Sequence, residues 1–299
     1  MAKASTIETS PAGADAGVET PSGKGAGDEN FPVGSFLLPR RLRPHVARFY
    51  AFARAIDDIA DNPELKPKDK IARLERMDRA LIGEDDDPAL ATAHRIRASL
   101  KECGVTPQHC RDLIVAFKRD ATKLRYADWD ELIQGYCRYS ASPVGRYLLD
   151  LHGEAPEGYP NSDALCDALQ VINHLQDCRD DYRALNRVYL PGDWMEAAGA
   201  RVKDLDGAAE TTGLRAVFEQ CLDGTEALLA TARALPGRLK SRSLAMESAA
   251  IVRIAERLAA KLRRQDPIAT RVELSKLQFV WCILAGVWDA WFGRARRRR

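Results

Sequence analysis

The chain has 299 residues, 45% of them apolar and 29% charged, enough to bury one large core. The net charge of +2 hides unlike ends, since residues 1–29 hold two lysines against five acids and the last six residues include five arginines; the near-neutral body lacks the basic face of a nucleic-acid-binding domain. Seven cysteines without a CxxC pair read as reduced packing residues, and with no signal-peptide core or spanning stretch the expected location is cytoplasmic.

Residues 1–28 are Ala, Gly, Ser, Thr, Pro and acids, too polar to offset their chain entropy, and read as a disordered tail. A single domain is expected over 29–292, followed by a basic tail at 293–299. The first helix should run from about Pro44 to Asp61 and stop at Asn62-Pro63. Helices follow at about 67–82, ending at Gly83, and 88–103, ending at Gly104. Thr106-Pro107 opens another, to about Lys123. Asp128 starts a helix to about His152, with a kink expected over Ser140–Gly145. Asn161-Ser162 open a long helix to about Arg183, and further helices are expected near 212–235, 239–264 and 273–292. Hairpin dipeptides and βαβ alternation are absent, so the fold class is all-α, one domain with several helices longer than usual.

The aspartates sit in unusual places. HVARFYAFARAIDDIAD ends on Asp57, Asp58 and Asp61, with Asp57 and Asp61 on one face and Arg54 one turn before Asp58. In the second long helix Asn173, Asp177 and Asp181 form a single stripe, with Gln170 one turn earlier. Both clusters occupy C-terminal turns, where the helix dipole already presents negative charge, and like charges at i, i+4 add a penalty. A compensating cation would remove the conflict. All six groups are hard oxygen donors that suit Mg²⁺, which binds through one or two carboxylates plus phosphate oxygens. The two stripes therefore predict a diphosphate held between helices by Mg²⁺. One such cluster alone is usually a solvated helix end; two copies on apolar helices favour catalysis.

The segments NFPVGSFLLP (30–39), FYAFARAIDDIAD (49–61), YCRYSASPVGRYLL (136–149), LQVINHLQDCRDD (169–181) and RVYLP (187–191) resemble the squalene and phytoene synthase family over about residues 29–290. The resemblance implies an isoprenoid-synthase fold acting on prenyl diphosphates, with Asp57, Asp58, Asp61, Asn173, Asp177 and Asp181 as metal ligands. It implies diphosphate contacts from Tyr50, Arg54 and Gln170, a flap carrying Asn30 and Phe31, a helical bundle with a central cavity lined by Tyr136, and Tyr189 as the tyrosine beyond the second motif. The family's second motif usually reads N-x-L-R-D, whereas here Gln176 replaces the arginine and a fixed charge is lost. The stretch from Asp177 to Tyr189 is also one residue longer than in typical phytoene synthases. Both features are similar to the hopanoid-pathway branch, hydroxysqualene synthase, which takes presqualene diphosphate, expels pyrophosphate and adds water.

That branch implies Lewis-acid and electrostatic help to the leaving pyrophosphate, an added contact from Arg54, and Tyr136, Tyr189 or Gln176 steadying the cation or the quenching water. No nicotinamide is expected, because water ends the reaction. The alternatives are presqualene diphosphate, squalene or phytoene synthase and, in a different class, a non-catalytic relative serving as an assembly or scaffold factor; the protein itself works alone or with a partner synthase of the pathway. The five histidines show no ligand spacing, although His174 falls inside the second motif. The last helix, with Trp281, Trp288, Trp291 and a terminal arginine cluster, either closes the bundle with Asp289 at its solvent side or makes peripheral contact with the inner face of an anionic membrane.

Overall fold

The computed structural model describes the backbone of residues 37–297 and the side chains of 37–292. The expected tail at 1–28, Asn30 and Phe31 lie outside the described residues, as do the side chains of the basic tail. Twelve α-helices occur among the described residues: α1 (Arg43–Asp61), α2 (Pro67–Ile82), α3 (Ala91–Cys103), α4 (Gln108–Asp120), α5 (Arg138–Ser140), α6 (Ser142–Leu151), α7 (Tyr159–Leu185), α8 (Gly192–Ala197), α9 (Thr212–Ala232), α10 (Leu235–Arg238), α11 (Arg242–Leu262) and α12 (Lys276–Arg297). The expected all-α class holds. Among the described residues, extended pairing is limited to one isolated parallel bridge between Tyr126 and Pro191.

Several boundaries follow from local chemistry. α1 starts on Arg43-Pro44, where the missing proline N–H costs nothing, and ends before Asn62-Pro63. Gly83 and Gly104 end α2 and α3 in the left-handed conformation, at φ of 89° and 71°. α7 begins two residues before the expected Asn161, because Asn161 does not cap it; its amide instead donates to the Thr231 carbonyl of α9 at 2.8 Å. α12 continues to Arg297, past the expected end at 292.

The expected 128–152 helix is divided. Glu131–Cys137 is wound as a π-helix, α5 follows, and the chain breaks at Ala141 (φ −115°, ψ −52°) before Pro143 enters the first turn of α6. Gly145 lets α6 lie against α7, since a Cβ there would meet Ser162 Oγ at 2.3 Å and Cys166 Sγ at 2.7 Å.

Two buried cores result. One gathers Phe52, Ile56 and Ile59 of α1 with Leu74, Met77, Ile96 and Leu113. The other joins α7, α9 and α11 through Leu175, Phe218, Leu222 and Ile254. Tyr147 of α6 belongs to the first, stacking on Phe49 of α1 at 3.9 Å and donating to the His45 carbonyl at 3.0 Å. The segment after α7 turns at Asn186 (φ 53°) and runs buried beside Leu124–Tyr126, with Val188 N–H on the Leu124 carbonyl. This brings the C-terminal ends of α1, α4 and α7 around one cleft.

Candidate active site

On α1, Tyr50, Arg54, Asp57 and Asp61 are half-buried while Phe49, Phe52, Ile56, Ile59 and Ala60 between them are buried, so the four line one face. On α7 the same pattern selects Gln170, Asn173, Asp177 and Asp181 between buried Val171, Ile172, Leu175 and Cys178. The two faces are electrostatically coupled, for the charges of Asp61 and Asp120 both raise the proton affinity of Asp181.

The local conflict at the helix ends is met partly by the protein itself. Arg187, its side chain 6% exposed, binds Asp61 through one guanidinium nitrogen at 2.5 Å and the Ala60 carbonyl through the other at 3.1 Å. Lys70 Nζ donates to that same carbonyl at 2.6 Å. Thus two side chains supply the cation that the end of α1 lacks. Neither was singled out in the sequence, because their contacts span 126 and 10 residues. Arg54 is clasped within its own helix, 3.1 Å from Asp57 and 3.2 Å from the buried Asp58. On α7, Arg271 reaches Asp177 at 3.2 Å.

Six carboxyl groups, Asp57, Asp58, Asp61, Asp120, Asp177 and Asp181, gather beside the four cations Arg54, Lys70, Arg187 and Arg271. Burial, then the neighbouring Asp61, pushes Asp57 up to about 8, against the opposing pull of Arg54. Burial and the charge of Asp177 push Asp181 up to about 7, and no described residue forms an ion pair with it. Desolvated carboxylates outnumbering their counterions are what a divalent cation relieves. Among the described residues, however, no three His, Cys, Asp or Glu side chains converge on one metal position. The donors are split between two rows, which fits an ion completed by phosphate oxygens rather than one caged by protein.

Beneath the carboxylates lies an aromatic cluster. Tyr136, from the π-helix, donates to Asp120 at 2.7 Å, and Tyr189 donates to its other oxygen at 2.9 Å. The two hydroxyls are 3.4 Å apart, and Tyr126 packs on both rings at 5.5 and 5.7 Å between centroids. His174 stacks on Tyr189 at 3.9 Å, and burial holds its imidazole down at about 3, so it is neutral. Gln170 lies 3.4 Å from His174. Burial raises Asp120 to about 6 even though Arg187 and both tyrosines favour its charge. Asp120 was missed because a lone acid ending DLIVAFKRD, directly after Lys118 and Arg119, lacks the paired spacing that marks the two clusters.

The structure thus brings together Tyr136 with Tyr189, and the two acid rows with each other. It does not bring Gln176 into the cleft. Gln176 is buried off the half-exposed stripe, and its amide donates to the Val272 carbonyl. The reason is helical phase: Asn173 already lies at one edge of the stripe, and Gln176, immediately before Asp177 and so about 100° around the helix from it, falls on the flank facing the segment beyond α11.

Fold and site together define a helical bundle with aspartate-rich helix ends meeting over a buried aromatic cluster. The sequence model of the squalene/phytoene synthase family matches residues 25–278, and the chain belongs to that family. It is 44% identical over 262 residues to a hydroxysqualene synthase from Rhodopseudomonas palustris, covering 88% of this chain and 89% of the relative. It is 45% identical over 257 residues to a hydroxysqualene synthase from Zymomonas mobilis, covering 86% of each. Among solved structures, squalene synthase HpnC from Alicyclobacillus acidocaldarius superposes with a TM-score of 0.69 at 35% identity, over 80% of this chain and 90% of that one. A dehydrosqualene synthase with bound ligand, at 21% identity and a TM-score of 0.72, shares the fold over 87% of this chain and 90% of that one.

Proposed function

We propose that this protein converts presqualene diphosphate and water to hydroxysqualene and pyrophosphate with Mg²⁺. The observation that carries this reading is the pair of half-buried stripes, Tyr50–Arg54–Asp57–Asp61 and Gln170–Asn173–Asp177–Asp181, set above the Asp120–Tyr136–Tyr189 cluster. The similarity to hydroxysqualene synthases supports the choice of substrate.

Asp57, Asp61, Asn173, Asp177 and Asp181 would hold Mg²⁺, which when bound supplies Lewis-acid and electrostatic stabilisation to the departing pyrophosphate. Asp58 is committed to Arg54 and sets that guanidinium's position. Arg54 and Tyr50 line the diphosphate end of the cleft. The hydrocarbon cation left behind lies against the ring faces of Tyr126, Tyr136 and Tyr189, each offering a negative quadrupole. His174, uncharged at neutral pH, adds a ring without repelling the cation. Both tyrosine protons point to Asp120, so each phenolic oxygen can accept a hydrogen bond from water. As the water adds to carbon, its proton passes through a hydroxyl to Asp120, whose affinity near 6 suits that step.

The test is product analysis of the full chain with presqualene, farnesyl and geranylgeranyl diphosphates in turn, with Mg²⁺ and with chelator. Hydroxysqualene from presqualene diphosphate is expected, lost with chelator and in Asp57→Ala and Asp177→Ala. Squalene, phytoene or presqualene diphosphate as the main product would replace this reading with another activity of the family. Wild-type turnover in both aspartate variants would remove the metal assignment.

A further inference from the structure

α12 has two faces with different commitments. The inner face is fixed on α11. Cys282 is buried, and Gly286 lies so close that a Cβ there would meet the backbone of Ala250 at 2.5 Å. On the flank, Arg253 of α11 pairs with Asp289, the one acid on the helix, at 2.5 Å. The outer face is covered by no described residue: Leu277, Trp281, Leu284, Trp288 and Trp291 are 84%, 62%, 64%, 65% and 58% exposed. At 100° per residue these positions, with two further apolar ones, fill an arc of about 120° and a length of about 20 Å. Seven of the ten exposed large hydrophobic residues of the described chain lie on this one helix. Scattered apolar residues at a surface need no cause, whereas a continuous stripe does.

We propose that this stripe docks the protein on an anionic lipid bilayer. The helix lies in the plane of the interface, the tryptophans at the boundary between headgroups and acyl chains, and the arginine-rich end against lipid phosphates. Charge complementarity selects this occupant. The stripe itself carries no charge, Asp289 is already neutralised from α11, and the sequence beyond Phe292 holds five arginines and no acid. A second copy of the chain would offer those arginines no free acid on its own α12. A phosphate surface offers one at every headgroup, and interfacial helices combine aromatic apolar faces with Lys or Arg in this way. No helix among the described residues is long and apolar enough to cross a membrane, and a one-sided stripe is the geometry of a helix lying on one. The inference does not depend on which prenyl diphosphate the cleft accepts.

The test uses the full-length protein sedimented with vesicles of phosphatidylcholine alone or with phosphatidylglycerol added, while tryptophan emission is recorded. Binding to the anionic vesicles, a blue-shifted emission and weakening by salt are expected. Leu284→Gln with Trp288→Gln should lower partitioning at least about tenfold, from the apolar area removed. Serine in place of the five arginines should cost about a hundredfold or more on anionic vesicles and little on neutral ones. The stripe substitutions touch exposed side chains, so an unchanged unfolding midpoint and retained binding by Trp288→Phe separate lost docking from lost folding. Absence of vesicle binding, binding indifferent to the stripe, or a dimer in sedimentation velocity that the stripe variant dissolves would each overturn the proposal.

Discussion

Replacing Asp120 by asparagine tests the buried core of the site. The carboxyl is 3% exposed and receives both tyrosine hydroxyls. Its pKa moves from 3.8 to about 6 in the fold. At about 1.4 kcal/mol per unit, holding it charged above that value costs about 3 kcal/mol. The sign follows from which state ionises first. Below pH 3.8 the carboxyl is neutral in both folded and unfolded chains. Between that value and about 6 the unfolded chain releases the proton while the native one retains it, so stability falls as pH rises, then levels off. Asparagine lacks the slope, keeps one acceptor oxygen and presents an NH₂ where the second was. Urea unfolding of both proteins in chelator should therefore show the variant gaining about 3 kcal/mol on the wild type between about pH 4 and about pH 7. Turnover should nevertheless fall by about 10² to 10³, because the acceptor for the water proton is gone. Parallel stability profiles at the two pH values would refute the electrostatic reasoning, and unimpaired turnover would remove Asp120 from the chemistry.

Other perturbations read other contacts. Arg187→Met leaves Asp61 and the Ala60 carbonyl without their shared guanidinium; because Asp61 is about a third exposed, a loss of about 2–3 kcal/mol is expected in denaturant unfolding. Glu247 of α11 is 4% exposed, one of its oxygens has no hydrogen-bond partner, and burial raises it to about 7. Its stabilising protonated form is lost as pH rises through that value, so Glu247→Gln should gain on the order of 2–3 kcal/mol at about pH 8 and little near pH 4, checked by thermal unfolding. Gln176→Arg would bury a charge beside the Val272 carbonyl, and a melting temperature lower by several degrees is expected, with the product profile of the surviving enzyme unchanged.

The two acid rows were legible in the sequence because their signal is periodic and local. Aspartates at i and i+4, Asp57 with Asp61 and Asp177 with Asp181, placed where a helix end already carries negative charge, conflict with backbone electrostatics whatever surrounds them. Tyr136 and Tyr189 were singled out only through the motifs containing them, and nothing in the linear order shows that they share Asp120. The long helices were readable for the same local reason, through proline starts, glycine stops and apolar period. The π-helix at Glu131–Cys137 was not, since a different winding of one turn leaves no separate residue signature.

What the amino-acid order determined by itself is the helical class, the two charged stripes and the apolar face of the last helix, each set by neighbours within a few turns. What only the tertiary structure decided is which distant groups answer those charges. Arg187 crosses 126 residues to Asp61, Gln176 turns to Val272, and Tyr189 reaches Asp120 across 69. Helical periodicity places a side chain on a face, but its electrostatic partners depend on how the helices pack, and that is fixed by the cores of the whole chain.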